Sequence, residues 1–123
     1  MFRLPLRATN PKREEMVSPP VEALVDTGSE LSWLPGDVLT SVGITPRRTK
    51  HFVTATGQRL SRQIGYAILS TDGFETNDEV VFAEPGDMTL LGVRTIEGFG
   101  AFVDPLSHRL VASTSIVAAV GCL

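Results

Sequence analysis

One tetrapeptide has residue types and spacing suited to chemistry: Asp26-Thr27-Gly28-Ser29, preceded by the apolar run Ala23-Leu24-Val25. A carboxylate on a tight loop between buried strands is held rigidly. The glycine lets the backbone turn sharply or approach another chain, and the two hydroxyls can bond carboxylate and backbone. A reactive acid is oriented in this way. A short string of this kind also occurs in ordinary turns, where the aspartate caps its own backbone. Metal chemistry has no comparable signature. His51 and His108 lie far apart with no neighbour at ligand spacing, so no metal and no cofactor are expected. The lone Cys122 cannot close an intrachain disulfide, which fits a reducing compartment.

The elements that must hold this loop are short. Val21 to Val25 reads as a strand ending abruptly at Asp26, and Leu31 to Leu34 restarts an apolar strand up to Pro35, so the polar loop lies between two buried strands. Pro35 to Val42 has the spacing of one or two helical turns, with Gly43 as a C-terminal stop. His51 to Thr54 and Gln63 to Ser70 predict strands flanking the turn Ala55-Thr56-Gly57-Gln58, and a second hairpin follows through Thr71-Asp72-Gly73. Val80 to Ala83, Thr89 to Leu91, Ala101 to Val103 and Arg109 to Ala112 supply further strands, and Val93 to Glu97, with Gly98 after it, supplies a second helical turn. Near the start, Phe2, Leu4 and Leu6 alternate with Arg3, Pro5 and Arg7 as in a half-buried strand, and Pro5 places it at an edge. Lys12 to Glu15 reads as a charged loop bracketed by prolines. Many short strands, frequent Gly and Pro turns and little helix predict an all-β, barrel-like domain.

With 123 residues, the chain has room for one such domain and not for two independent catalytic lobes. The expected domain spans residues 1–123, with a core over 21–112 and an apolar tail over 113–123 that either pairs with a second copy at a dimer interface or frays. The content of 42% hydrophobic and 20% charged residues argues against disorder. A net charge of −3 gives no strong drive toward nucleic acid or anionic membrane. The local basic run Arg47, Arg48, Lys50, Arg59, Arg62 reads as a solvated strand face. The first sixteen residues lack the apolar stretch of a signal peptide, and the longest apolar run, Ile116 to Leu123, is far shorter than the roughly 20 residues of a membrane helix. The expected setting is soluble and cytoplasmic.

From about Val21 to Val111 the chain resembles the retropepsin-like aspartic proteases, and more closely the small aspartyl proteases encoded in microbial genomes. The resemblance rests on Ala23 to Ser29, Leu31-Ser32-Trp33-Leu34-Pro35, Val42-Gly43-Ile44, Ala55-Thr56-Gly57, Leu90-Leu91-Gly92, and Gly98 to Pro105. Leu90-Leu91-Gly92 before a short helix looks like that family's second signature, and gives meaning to a weak internal echo of the Leu24 to Gly28 segment. The resemblance implies a closed β fold with one lobe per chain. Each subunit would supply one Asp26, so that a homodimer assembles the pair the mechanism needs. Two carboxyls about 3 Å apart share one proton. The ionised Asp26 would activate water, while its protonated twin polarises the scissile carbonyl of a peptide or protein substrate and helps protonate the leaving amine. By the same resemblance Thr27 bonds across the dimer, Gly28 makes room for substrate backbone, and Ala55-Thr56-Gly57 is the tip of a flap that closes over substrate. Ser29 stands where retroviral members commonly carry alanine, and its hydroxyl is expected to donate to the Asp26 carboxylate, giving a more acidic working range. The flap tip carries one glycine where retroviral members carry several. Arg94 lies two positions past Gly92, not immediately after it, and is left out of the site. Trp33 reads as a core anchor.

The leading expectation is an aspartic endopeptidase with broad, apolar-leaning preferences. A catalytically silent dimeric domain that binds peptides or a partner is the alternative from a different class. An intact Asp26-Thr27-Gly28 favours the enzyme. A nucleic-acid-binding barrel is disfavoured by the acidic balance and the lack of interleaved basic and aromatic residues.

Overall fold

In the computed structural model, which describes residues 2–114 and 118–121, the alternation of the first strand is realised directly. Strand β1 (Arg3–Asn10) buries Leu4, Leu6 and Ala8 while Arg3, Pro5 and Arg7 face out. It joins β2 (Arg13–Val17), β3 (Val21–Val25), β4 (Ser32–Pro35), β5 (Arg48–Val53), β6 (Arg59–Thr71), β7 (Phe74–Ala83) and β8 (Leu90–Leu91) in one sheet, ordered β2-β1-β3-β8-β4-β7-β6-β5. Because β1 also pairs with β6, Arg7 opposite Ser70, the strands β1, β3, β8, β4, β7 and β6 return on themselves as a ring, with β2 and β5 outside it. Strands β9 (Ala101–Asp104) and β10 (Arg109–Ala112) form a separate hairpin. Leu6, Leu34, Leu69, Val80 and Leu91, contributed by five different strands, lie in one apolar cluster. Each such side chain contributes roughly 1.5–3 kcal/mol by leaving water.

The two helices are too short to stand alone and depend on that cluster. Helix α1 (Gly36–Ser41) buries Leu39. It ends as the glycine predicts: Gly43 (φ +78°) donates to Thr40 O and Ile44 donates to Leu39 O, while the Ile44 and Leu39 side chains share the core. Helix α2 (Val93–Gly98) buries Thr95 and Ile96. Here the expected stop shifts. Gly98 lies inside the helix, where its lack of a side chain admits Thr76: a Cβ would come within 2.6 Å of the Thr76 hydroxyl, and Gly100 (φ +70°) makes the left-handed turn.

The segment Lys12 to Glu15 is also corrected. Only Pro11-Lys12 turn, and Arg13–Val17 runs as β2 against β1, its charged side chains exposed while its backbone pairs. The register slips between Thr9 and Asn10. Buried Asn10 satisfies both ends of its amide there, Nδ2 donating to Val42 O at 2.9 Å and Oδ1 accepting from Lys12 N–H at 2.9 Å. The expected edge position is corrected too: β1 lies inside the ring, paired with β2, β3 and β6, and Pro5 is accommodated because at that position β3 alone pairs with it, through Glu22, among the described residues. The expected tail of residues 113–123 falls outside the described residues at 115–117 and at 122–123, which includes Cys122. No helix among the described residues is long and apolar enough to cross a membrane.

Candidate active site

Strands β3 and β4, which follow one another in sequence, do not pair. Strand β8 inserts between them, parallel to β3 (Leu24 opposite Leu90, Val25 opposite Leu91) and antiparallel to β4 (Trp33 opposite Leu90). The loop joining β3 to β4, which carries Asp26, therefore straddles the end of β8 and the start of α2. Backbone hydrogen bonds fasten it there: Asp26 N–H donates to Leu91 O at 3.0 Å, Val93 N–H to Ser29 O at 2.8 Å, and Arg94 N–H to Glu30 O at 3.1 Å. The first amides of α2, which have no partner within their helix, are thus used to hold the loop. Gly92 is required by this closeness, because a Cβ would lie 2.4 Å from Leu31 O and 2.9 Å from Ser29 O. Leu90-Leu91-Gly92 and Asp26 to Ser29, far apart in sequence, form one structural unit.

Within the loop the Asp26 side chain is half-buried, and its Oδ1 accepts from Gly28 N–H at 2.9 Å. That bond alone is what a local turn would also give. What differs from an ordinary turn is the clamp from below, which fixes the aspartate backbone. Thr27 and Gly28 are exposed. The Ser29 hydroxyl does not reach the Asp26 carboxylate. It donates to Leu31 O at 2.8 Å, because the loop folds back over Gly92 and brings that carbonyl within reach. Ser29 supports the loop through its own carbonyl and this bond, and the expected effect on the acidity of Asp26 has no contact behind it.

The β5–β6 hairpin extends from Arg48 opposite Ile64 to Val53 opposite Arg59, with Thr54 to Gln58 as its tip. Ala55, Thr56 and Gly57 are exposed there, and Gly57 (φ +85°) supplies the left-handed residue. Thr54 braces the tip: its carbonyl accepts from Gly57 N–H and its hydroxyl from Gln58 N–H at 3.1 Å. The hairpin is tied to the loop region through aromatic contact, Phe52 lying 5.1 Å from the Trp33 ring. Trp33 is half-buried against the small cluster Leu31, Ile64 and Val81 and so works as an anchor.

Two ion-pair groups are not evident from sequence. Arg62 on β6 grips Asp87 with two nitrogens at 2.7 and 2.9 Å, and Asp87 also accepts from Glu84 N–H. The Arg62 hydrogen bond holds the Asp87 carboxyl below its ordinary range against the opposing effect of burial. Arg48 and Arg94 both pair with Glu79; burial pushes the pKa of that carboxyl up by less than the two guanidiniums pull it down, so it too titrates below its usual range. The basic run is therefore partly spent on internal pairing. Arg47 stacks on exposed Tyr66. Sequence reasoning also missed Ser32, Asp78 and Thr95, which meet behind the loop; the Ser32 and Thr95 hydroxyls are 2.7 Å apart across 63 residues of sequence. No local pattern marks such a meeting. No group of three or more His, Cys, Asp or Glu among the described residues could hold a metal ion.

No protein-family model and no curated protein sequence matches the chain. Solved structures do. The simian foamy virus (mac) protease superposes with a TM-score of 0.54 at 20% identity, covering 77% of this chain and 91% of that one. A foamy viral protease–reverse transcriptase in complex with double-stranded DNA gives a TM-score of 0.52 at 18% identity over 76% of this chain; the match spans 15% of that fusion's length. The fold is that of a retropepsin-like protease, a ring of short strands with two short helices.

Proposed function

We propose that this chain is an aspartic endopeptidase that acts as a homodimer, with the two Asp26 side chains holding one water molecule. The observation that carries the reading is the clamp on Asp26: a half-buried carboxyl on an exposed loop whose backbone is bonded to the β8–α2 turn at three points. Rigid placement of an acid is what general acid and base catalysis needs. A turn that only capped itself would not need it. The retropepsin-like fold supports pairing of two such loops about a two-fold axis. Exposed Thr27 is then free to bond its twin, and Gly28 leaves room for substrate backbone.

In the dimer one Asp26 is ionised and takes a proton from water as it attacks the scissile carbonyl. Its protonated twin polarises that carbonyl, then helps protonate the departing amine. No covalent intermediate forms. The hairpin tip, Ala55 to Gly57, closes over the substrate and excludes water. Substrates are peptides or protein segments with apolar-leaning side chains, a preference supported by Val53 beside the hairpin tip, which is 68% exposed. The lone cysteine suits the cytoplasm as the working compartment.

Purified chain is expected to run as a dimer at low micromolar concentration and to cleave a peptide library between about pH 4 and 7. Asp26→Asn should remain folded and lose about 10³-fold or more of kcat. A dimer whose cleavage equals that of the Asn variant would instead identify a silent peptide-binding domain.

A further inference from the structure

Behind the Asp26 loop runs a continuous chain of hydrogen bonds that starts at a carboxylate three strands away in sequence order. Thr95 O–H donates to Asp78 Oδ2 at 3.0 Å. Since the single hydroxyl proton of Thr95 is committed to that carboxylate, the 2.7 Å contact between Ser32 Oγ and Thr95 Oγ1 must be donated by Ser32. Ser32 Oγ in turn accepts from Gly92 N–H at 2.9 Å. That N–H belongs to the same peptide unit as the Leu91 carbonyl, which accepts from Asp26 N–H at 3.0 Å. Ser32 and Thr95 are 0% exposed, and the Asp78 side chain is 11% exposed. Each link has one direction only, and each polarises the next in a dry setting.

We infer that Asp78, Thr95 and Ser32 are positioning residues that set the Leu91–Gly92 peptide and, through it, the backbone of Asp26. The negative end of the chain is anchored on β7, and Arg94, 3.5 Å from Asp78, holds that anchor from α2. With Thr95 replaced by an apolar residue, the buried Ser32 proton has no acceptor. The hydroxyl then rotates or pulls on its surroundings, and the Gly92 peptide loses its fixed plane. The catalytic arm of this inference rests on the aspartic-hydrolase reading; the placement arm does not.

The test is Thr95→Val, of nearly the same shape, beside Thr95→Ser, which restores the hydroxyl. In Thr95→Val the Asp26 amide is expected to exchange its hydrogen about tenfold faster, with that of Leu69 in β6 unchanged. On a peptide substrate kcat should fall about tenfold with KM held within about twofold. Thr95→Ser should return both quantities to wild-type values. Asp78→Asn, at the partly exposed end, keeps an acceptor for Thr95 but drops the charge, and should shift Asp26 exchange in the same direction by about threefold. Unchanged exchange at Asp26 in a folded Thr95→Val, or in Asp78→Asn should the valine variant not fold, overturns the inference. Faster exchange in a protein that cleaves nothing supports the positioning chain and sinks the protease reading instead.

Discussion

At the scale of single residues, Ser29 and Gly92 separate what a side chain can do in principle from what its surroundings let it do. A serine three positions beyond a carboxylate invites a hydrogen bond to it, yet the Ser29 hydroxyl is taken by Leu31 O. Ser29→Ala is therefore expected to cost about 1 kcal/mol of stability, the net worth of one side-chain hydrogen bond. It should leave the pH dependence of cleavage where it was, as a pH–rate profile beside a thermal melt would record. A profile displaced by the substitution would mean that the hydroxyl turns to Asp26 when substrate or a second subunit is present. Gly92 illustrates the opposite case. It carries no functional group, and its lack of a side chain is what lets two carbonyls of the Asp26 loop descend onto the β8–α2 turn.

Among the elements, the hairpin of β5 and β6 depends on more than its own ladder. Arg62, on β6, reaches the turn that precedes β8 and holds Asp87 there. This pair joins the hairpin strand β6 to the segment leading into Leu90-Leu91-Gly92. It is largely shielded, with 15% and 18% of the two side chains exposed. The Arg62 hydrogen bond, against the opposing effect of burial, holds the Asp87 carboxyl below its ordinary value. A carboxyl lowered in the folded state contributes stability that is present above its unfolded value and is lost as pH falls through the folded one. Asp87→Asn, which still accepts from Glu84 N–H, should therefore lower stability by about 1–2 kcal/mol near pH 7. The difference from wild type should fade as pH falls through the lowered folded-state value, where wild-type Asp87 also becomes neutral. Denaturant melts across that range decide it; a gap that persists in acid would show that packing rather than charge is what the pair supplies.

For the molecule as a whole, the described residues build one ring of strands that carries the Asp26 loop. Strand β1 closes the ring onto β6 and so joins the start of the chain to the core. Under the proposed function the site is complete only when two rings meet, so specific activity should fall on dilution through the dimer's dissociation constant. The melting temperature should rise with concentration over the same range. Mixing wild type with excess Asp26→Asn should suppress activity as mixed dimers form. Activity proportional to concentration throughout, with no suppression on mixing, would place the whole chemistry in a single chain and end the paired-aspartate reading.

The amino-acid sequence alone determined the features that are local in physics. Period-2 alternation placed β1, Gly43 ended α1 through its left-handed backbone, and Asp26 to Ser29 announced a polar loop between apolar strands. Motif resemblance extended this to the fold, because a family's recurring spacing carries information about contacts that no single segment holds. Errors arose where a distant partner decided the outcome. Arg13 to Glu15 became a strand because β1 offered backbone partners, and Gly98 serves close packing against Thr76 where a helix stop was expected. Ser29 is the exception, a local error: its hydroxyl found Leu31 O two residues on. Only the tertiary structure inserted β8 between β3 and β4, and only it brought Asp78, Thr95 and Ser32 into line behind Asp26. Hydrogen bonds act over about 3 Å, so residues 63 apart in sequence meet only when the whole chain has closed around them.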